Sequence, residues 1–109
     1  MRLGVLALLA GLLTAPGLAA AVVPAFELRV QNHRFLPETL EVPAGQKIAL
    51  HIRNLDPTPE EFESYELNRE KIVPGGGEIT VYVGPLKAGT YAFFGDFNQA
   101  TAQGKLIAK

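Results

Sequence analysis

Six of the eleven acidic residues in this 109-residue chain, Asp56, Glu60, Glu61, Glu63, Glu66 and Glu70, fall within fifteen positions. Packing like charges this closely raises carboxylate pKa values and costs stability unless a cation neutralises them. Carboxylate oxygens in such a group suit a hard or borderline cation, Fe²⁺, Mn²⁺ or Ca²⁺, with water completing the shell. The alternative is a solvated acidic rim balanced by Arg69 and Lys71. The element that carries residues 60–67 decides which side chains can converge. On a strand, Glu61 and Glu63 share one face while Glu60 points the same way as Phe62. On a helix, Phe62 and Tyr65 would make only a narrow apolar stripe.

Other chemistry is sparse. The chain has no cysteine, which excludes thiol catalysis, cysteine-ligated zinc, iron–sulfur centres and any copper site built on a thiolate. The only methionine is Met1. Of the two histidines, His51 alternates with Lys47, Ala49 and Arg53 and reads as an outward-facing surface residue. His33 lies in the loop Gln31-Asn32-His33-Arg34-Phe35, where it is a ligand candidate that the sequence does not place. Ser64 has no His–Asp arrangement in view, and Gly75-Gly76-Gly77 lacks the Lys-Ser/Thr of a phosphate loop. The residues point to binding more than to an enzyme.

The frame for these residues starts at the N-terminus. Arg2, an uncharged run over 3–13 and the small residues around Ala19–Ala21 have the form of a secretory signal peptide, residues 1–21, with cleavage after Ala19 or Ala21. Pro16 and Gly17 interrupt the run too early for a membrane span of about 20 residues, and no later stretch is apolar enough. Residues 22–109 then form one exported domain, with 9 basic against 11 acidic residues, a balance that gives no reason to expect a nucleic-acid partner. Alternating or β-rich runs at 26–30, 38–42, 46–53, 78–83, 90–94 and 104–108, with 60–67 as a possible seventh, are separated by Pro43-Ala44-Gly45, Asn54-Leu55-Asp56-Pro57 and Pro74-Gly75-Gly76-Gly77. About seven short strands at this spacing predict an all-β sandwich or barrel. Residues 31–38 are expected to be a loop, and the aromatics Tyr82, Tyr91, Phe93, Phe94 and Phe97 to pack mainly in the core, with Phe97 the best candidate for exposure.

Several phrases occur in the order in which cupredoxins use them. Glu41-Val42-Pro43-Ala44-Gly45 precedes a strand that ends in Asn54-Leu55-Asp56, and residues 84–94 lead through a loop to Gly104-Lys105-Leu106-Ile107. From Phe26 to Lys109 the chain resembles the cupredoxin-like family, which implies a Greek-key β-sandwich. More narrowly, residues 59–71 with 82–97 are similar to EfeO-type cupredoxin-like proteins. That resemblance implies a periplasmic protein that handles iron or copper ions beside an inner-membrane iron permease or another component of an iron-uptake system. A ferrous oxidase role is conceivable only through the same likeness.

At every blue-copper ligand position the chain departs from the pattern: Glu60 and Asn98 fall where histidines stand, Gly95 at the cysteine and Ala102 near the methionine. One-electron transfer through type 1 copper is therefore excluded. The loop after Phe94 packs, in this fold, against the end of the sandwich that carries the acidic cluster. Glu60, Glu61, Glu63 and Asp96 are accordingly the expected metal ligands. The competing reading is a metal-free degenerate cupredoxin that serves as a protein-interaction module.

Overall fold

The computed structural model describes residues 22–109, so the expected signal peptide lies outside the described residues. Nine strands follow in order: β1 Ala25–Gln31, β2 Arg34–Leu36, β3 Thr39–Val42, β4 Ile48–Asn54, β5 Glu60–Ser64, β6 Arg69–Val73, β7 Glu78–Val83, β8 Gly89–Gly95 and β9 Gln103–Ala108, with a 3₁₀ turn at Asp96–Asn98 between the last two. They make two sheets, ordered β2-β1-β4-β7 and β3-β9-β8-β5-β6. Both are mixed, because β1 runs parallel to β4 and β3 parallel to β9. Among the described residues no helix is long and apolar enough to cross a membrane.

Two strands exceed the sequence expectation. Residues 31–38 contain a tight hairpin and not a loop alone: Asn32 and His33 adopt left-handed backbone angles, φ 55° and 58°, the geometry of a two-residue turn that matches strand twist. Gln31 then pairs with Arg34 and Val30 with Phe35. Arg69–Val73 forms β6, an edge strand exposed along most of its length. Its charged sequence hides the period-2 pattern that would have revealed it.

The core lies between the sheets and is built on three rings. Phe35 from β2 meets Phe93 from β8 edge-on at 5.0 Å and Phe62 from β5 at 6.1 Å, and Phe62 lies 5.2 Å from Phe93. All three are fully buried, together with Leu28, Ile48, Leu50, Ile52 and Leu106. Each such side chain contributes roughly 1.5–3 kcal/mol of transfer free energy. Of the aromatics expected in the core, only Phe93 is fully buried; Tyr91 and Phe94 are half-buried and Tyr82 is exposed, while Phe97 is exposed as expected. The missing rings are supplied by Phe35 and Phe62.

At the open side of the sandwich, the edge strands β6 and β7 are clasped by side chains. Arg69 Nε donates to the Tyr82 carbonyl at 2.9 Å, and Lys71 Nζ to the Thr80 carbonyl at 3.4 Å. Edge carbonyls are thereby covered, and both cations are turned toward β7.

Candidate functional site

Strand β5 sorts its glutamates by the two-residue period. Glu60, Phe62 and Ser64 point inward and are buried, while Glu61 and Glu63 point outward and are half-buried. A four-residue turn, residues 65–68, returns the chain so that Glu63 pairs with Glu70 on β6 and Glu61 with Ile72. Ser64 holds the turn, accepting from the Leu67 N–H at 3.0 Å while donating to the Ala92 carbonyl at 2.6 Å.

The outer face therefore brings Glu61, Glu63 and Glu70 together, one carboxylate oxygen of each lying within 4.8 Å of the others. Asp96, from the 3₁₀ turn, stands beside Glu61. Arg69 and Lys71 belong to the opposite face of β6, so the balance of charge anticipated on an acidic rim does not form there. Among the described residues the ion pairs are Arg53–Glu78 and Lys109–Glu41, with the His51 imidazole also 3.5 Å from Glu78, all away from this group. Partial burial, then the charges of Glu70 and Asp96, push the Glu61 carboxyl above the ordinary carboxylate range. Partial burial and Glu70 do the same to Glu63. Carboxylates raised in this way are held close together without a counter-charge beside them.

Of the four residues singled out from sequence, Glu61, Glu63 and Asp96 share this face and Glu60 does not. Glu70, a member of the acidic run, completes the group. The signal that could have found it is hairpin arithmetic: Asn68, whose φ is 56°, ends a turn that puts Glu63 and Glu70 opposite each other.

Glu60 lies on the inner face, 1% exposed. Its Oε1 accepts from the backbone N–H of Glu61 at 3.0 Å and of Phe97 at 2.9 Å, and Oε2 accepts from Asn98 Nδ2 at 2.7 Å. Gly95 and Ala102 close the same spot. A Cβ on Gly95 would lie 2.6 Å from Glu60 Cδ and 2.7 Å from Ala102 Cβ, and the Gly95 N–H donates to the Ala102 carbonyl at 2.9 Å. The four residues expected from the sequence at the blue-copper ligand positions, Glu60, Gly95, Asn98 and Ala102, do converge, but as a carboxylate, a glycine, an amide and a methyl group. Neither a thiolate nor an imidazole is available, and the space is filled. The residues do not fit a type 1 copper ion.

Asp56, also part of the acidic run, has a structural task. Its two carboxylate oxygens accept from the Asn32 and His33 N–H groups at 2.8 and 2.9 Å, fixing the β1–β2 turn. His51 is half-exposed on the outer face of β4, 3.5 Å from Glu78.

Two mixed sheets packed as a sandwich define a cupredoxin architecture. The family model for the cupredoxin-like domain matches residues 3–108, and the chain belongs to that family. The Rickettsia prowazekii (strain Madrid E) protein called "Uncharacterized protein RP394" is 49% identical over 81 residues, which are 74% of this chain and 65% of that protein; the chain therefore matches somewhat less than two thirds of this relative's length. Among solved structures, auracyanin A, a "blue" copper protein of Chloroflexus aurantiacus, superposes with a TM-score of 0.69 at 15% identity, covering 81% of this chain and all of that one. The metal-binding domain of the Cu(I)-exporting P-type ATPase CopA of Streptococcus pneumoniae D39 gives 0.69 at 12% identity, covering 84% and 90%. At these identities the likeness establishes the fold.

Proposed function

We propose that this cupredoxin-like domain is a metal-handling protein that binds a hard or borderline divalent cation on its outer face through Glu61, Glu63 and Glu70, with Asp96 at the border. One observation carries the reading: three carboxylates converge within 4.8 Å while the nearest cations in sequence, Arg69 and Lys71, are bonded to the Tyr82 and Thr80 carbonyls. Oxygen-only ligands favour Fe²⁺, Mn²⁺ or Ca²⁺ over metals that need thiolate. The likeness of residues 59–71 and 82–97 to EfeO-type proteins supports a finer reading, in which iron is the cargo and the exported domain serves an inner-membrane iron permease in the periplasm.

Thermal unfolding of the domain with and without Mn²⁺, Ca²⁺, Cu²⁺ and, anaerobically, Fe²⁺ tests the proposal. A cation at about 100 times its Kd adds about 2.7 kcal/mol, several degrees for a domain of this size. The shift should vanish in the E61Q/E63Q double variant. No shift with any of these metals would overturn the metal reading and favour a metal-free interaction module. That second reading has its own support, since Ile72 on β6, Phe97 on the 3₁₀ turn and Tyr65 in the turn between β5 and β6 are 52%, 48% and 79% exposed.

A further inference from the structure

A buried carboxylate lies apart from the outer cluster. Glu60 is enclosed, and each of its partners is a hydrogen-bond donor: the Glu61 N–H on β5, and the Phe97 N–H and Asn98 Nδ2 on the 3₁₀ turn. Among the described residues no Lys, Arg or His stands within ion-pair distance of it. A cation site directs lone pairs inward. This one directs N–H groups inward, the arrangement of an anion-binding nest. The sign of the interior is thus inverted relative to a metal centre.

We propose that the interior end of the sandwich is an anion cradle occupied by the chain's own Glu60, whose carboxylate replaces a metal ion as the link between β5 and the β8–β9 connection. Two hydrogen bonds from the 3₁₀ turn, the Phe97 N–H and Asn98 Nδ2, do the cross-linking that metal–ligand bonds would otherwise do, and the Glu61 N–H on β5 itself completes the cradle. Gly95 is required by the same arrangement, because a Cβ there would meet Glu60 Oε2 at 2.8 Å. Glu60 is then a positioning residue: by holding Phe97 and Asn98 it fixes Asp96, one residue earlier, beside Glu61. The cradle uses neither Glu61, Glu63 nor Glu70 side chains, so it stands apart from the cation reading of the outer face.

Removing the carboxylate while keeping the three donors should create a pocket that accepts a small carboxylate from solution. The experiment is thermal unfolding of E60A in sodium formate against sodium chloride at equal ionic strength, with amide hydrogen exchange at Phe97 read in parallel. The expected result is a lower melting temperature for E60A, partly restored by formate and not by chloride. Exchange at the Phe97 amide should be faster by about tenfold or more and slow again with formate. A folded E60A that responds identically to both salts overturns the proposal. Should E60A not fold, E60Q decides it. Glutamine keeps the shape but replaces one acceptor oxygen with an NH₂ donor that faces the cradle's own donors, so Phe97 exchange should rise several-fold and the Asn98 side-chain amide resonances should shift. Unchanged Phe97 exchange in E60Q overturns the proposal. The E61Q/E63Q variant should keep Phe97 protection at the parent level, which separates failure here from failure of the outer metal site.

Discussion

Glu63 and Glu70 face each other as a register pair across β5 and β6, two carboxylates in a place where opposite charges would stabilise a sheet. Like charges directly opposite are unfavourable, and Arg69 and Lys71, which flank Glu70 in sequence, are committed to carbonyls of β7. Removing one charge should therefore help the metal-free protein. E70Q is expected to raise the melting temperature in a chelator at neutral pH by on the order of a degree or two. With Mn²⁺ present the order should reverse, because the parent gains a ligand-linked increment that E70Q loses. Differential scanning calorimetry of both proteins with and without the metal reads the reversal directly.

Inside the sandwich, Gly104 pairs with Phe93 and lies under its ring. A Cβ at this position would stand 2.5 Å from Phe93 Cζ and 3.0 Å from the Glu38 carbonyl oxygen. Phe93 cannot yield, since Phe35 and Phe62 pack against it at 5.0 and 5.2 Å. G104A should destabilise the domain by about 1–3 kcal/mol, the cost of overpacking a dense core. Urea unfolding followed by tyrosine fluorescence measures it, and an unchanged midpoint would show that β9 can shift away from the ring.

Asp56 supplies a third test. Its carboxylate accepts both N–H groups of a turn whose two residues lie at positive φ. D56A leaves those donors without their protein partners and should cost about 1–2 kcal/mol, whereas D56N keeps one acceptor oxygen and should cost less. If Asp56 were instead a metal ligand, both variants would reduce Mn²⁺ affinity, so titration of D56N with Mn²⁺ separates the roles.

The sandwich was legible because its central strands are written in the plainest code. Ile48, Leu50 and Ile52 alternate, and turn residues punctuate the chain at even spacing. β6 was not legible, because an edge strand of Arg, Glu and Lys shows no apolar period. The acidic run was visible as composition, but sequence proximity merged three environments that strand geometry separates: Asp56 at a turn, Glu60 inside, and Glu61, Glu63 and Glu70 outside. The alternation rule already placed Glu60 with Phe62 on one face. Its burial depends on donors from residues 97 and 98, more than thirty positions away, and such a contact leaves no local pattern. The Asn54-Leu55-Asp56 phrase was likewise readable as a family mark but not as a device. In the structure Asn54 Oδ1 accepts the Asp56 N–H at 3.0 Å and Nδ2 donates to the Thr58 carbonyl at 2.8 Å.

The raised proton affinities of Glu61 and Glu63 give the cluster a definite pH signature. Burial and neighbouring carboxylates lift both above their reference value of 4.5, so the folded protein keeps protons that the unfolded chain has released. Their contribution to stability is complete below the ordinary carboxylate range and is lost as pH rises through the raised values. In chelator, the parent should lose melting temperature relative to E61Q/E63Q as pH climbs from about 4 toward neutrality, with the two proteins closest at the acid end. A bound cation must displace the same protons. Mn²⁺ affinity should accordingly fall as pH drops into that window, and binding there should release protons to the buffer. Calorimetric titrations in two buffers of different ionisation enthalpy measure that release. A heat of binding independent of the buffer, with affinity flat from pH 5 to 7, would remove Glu61 and Glu63 from the ion's shell.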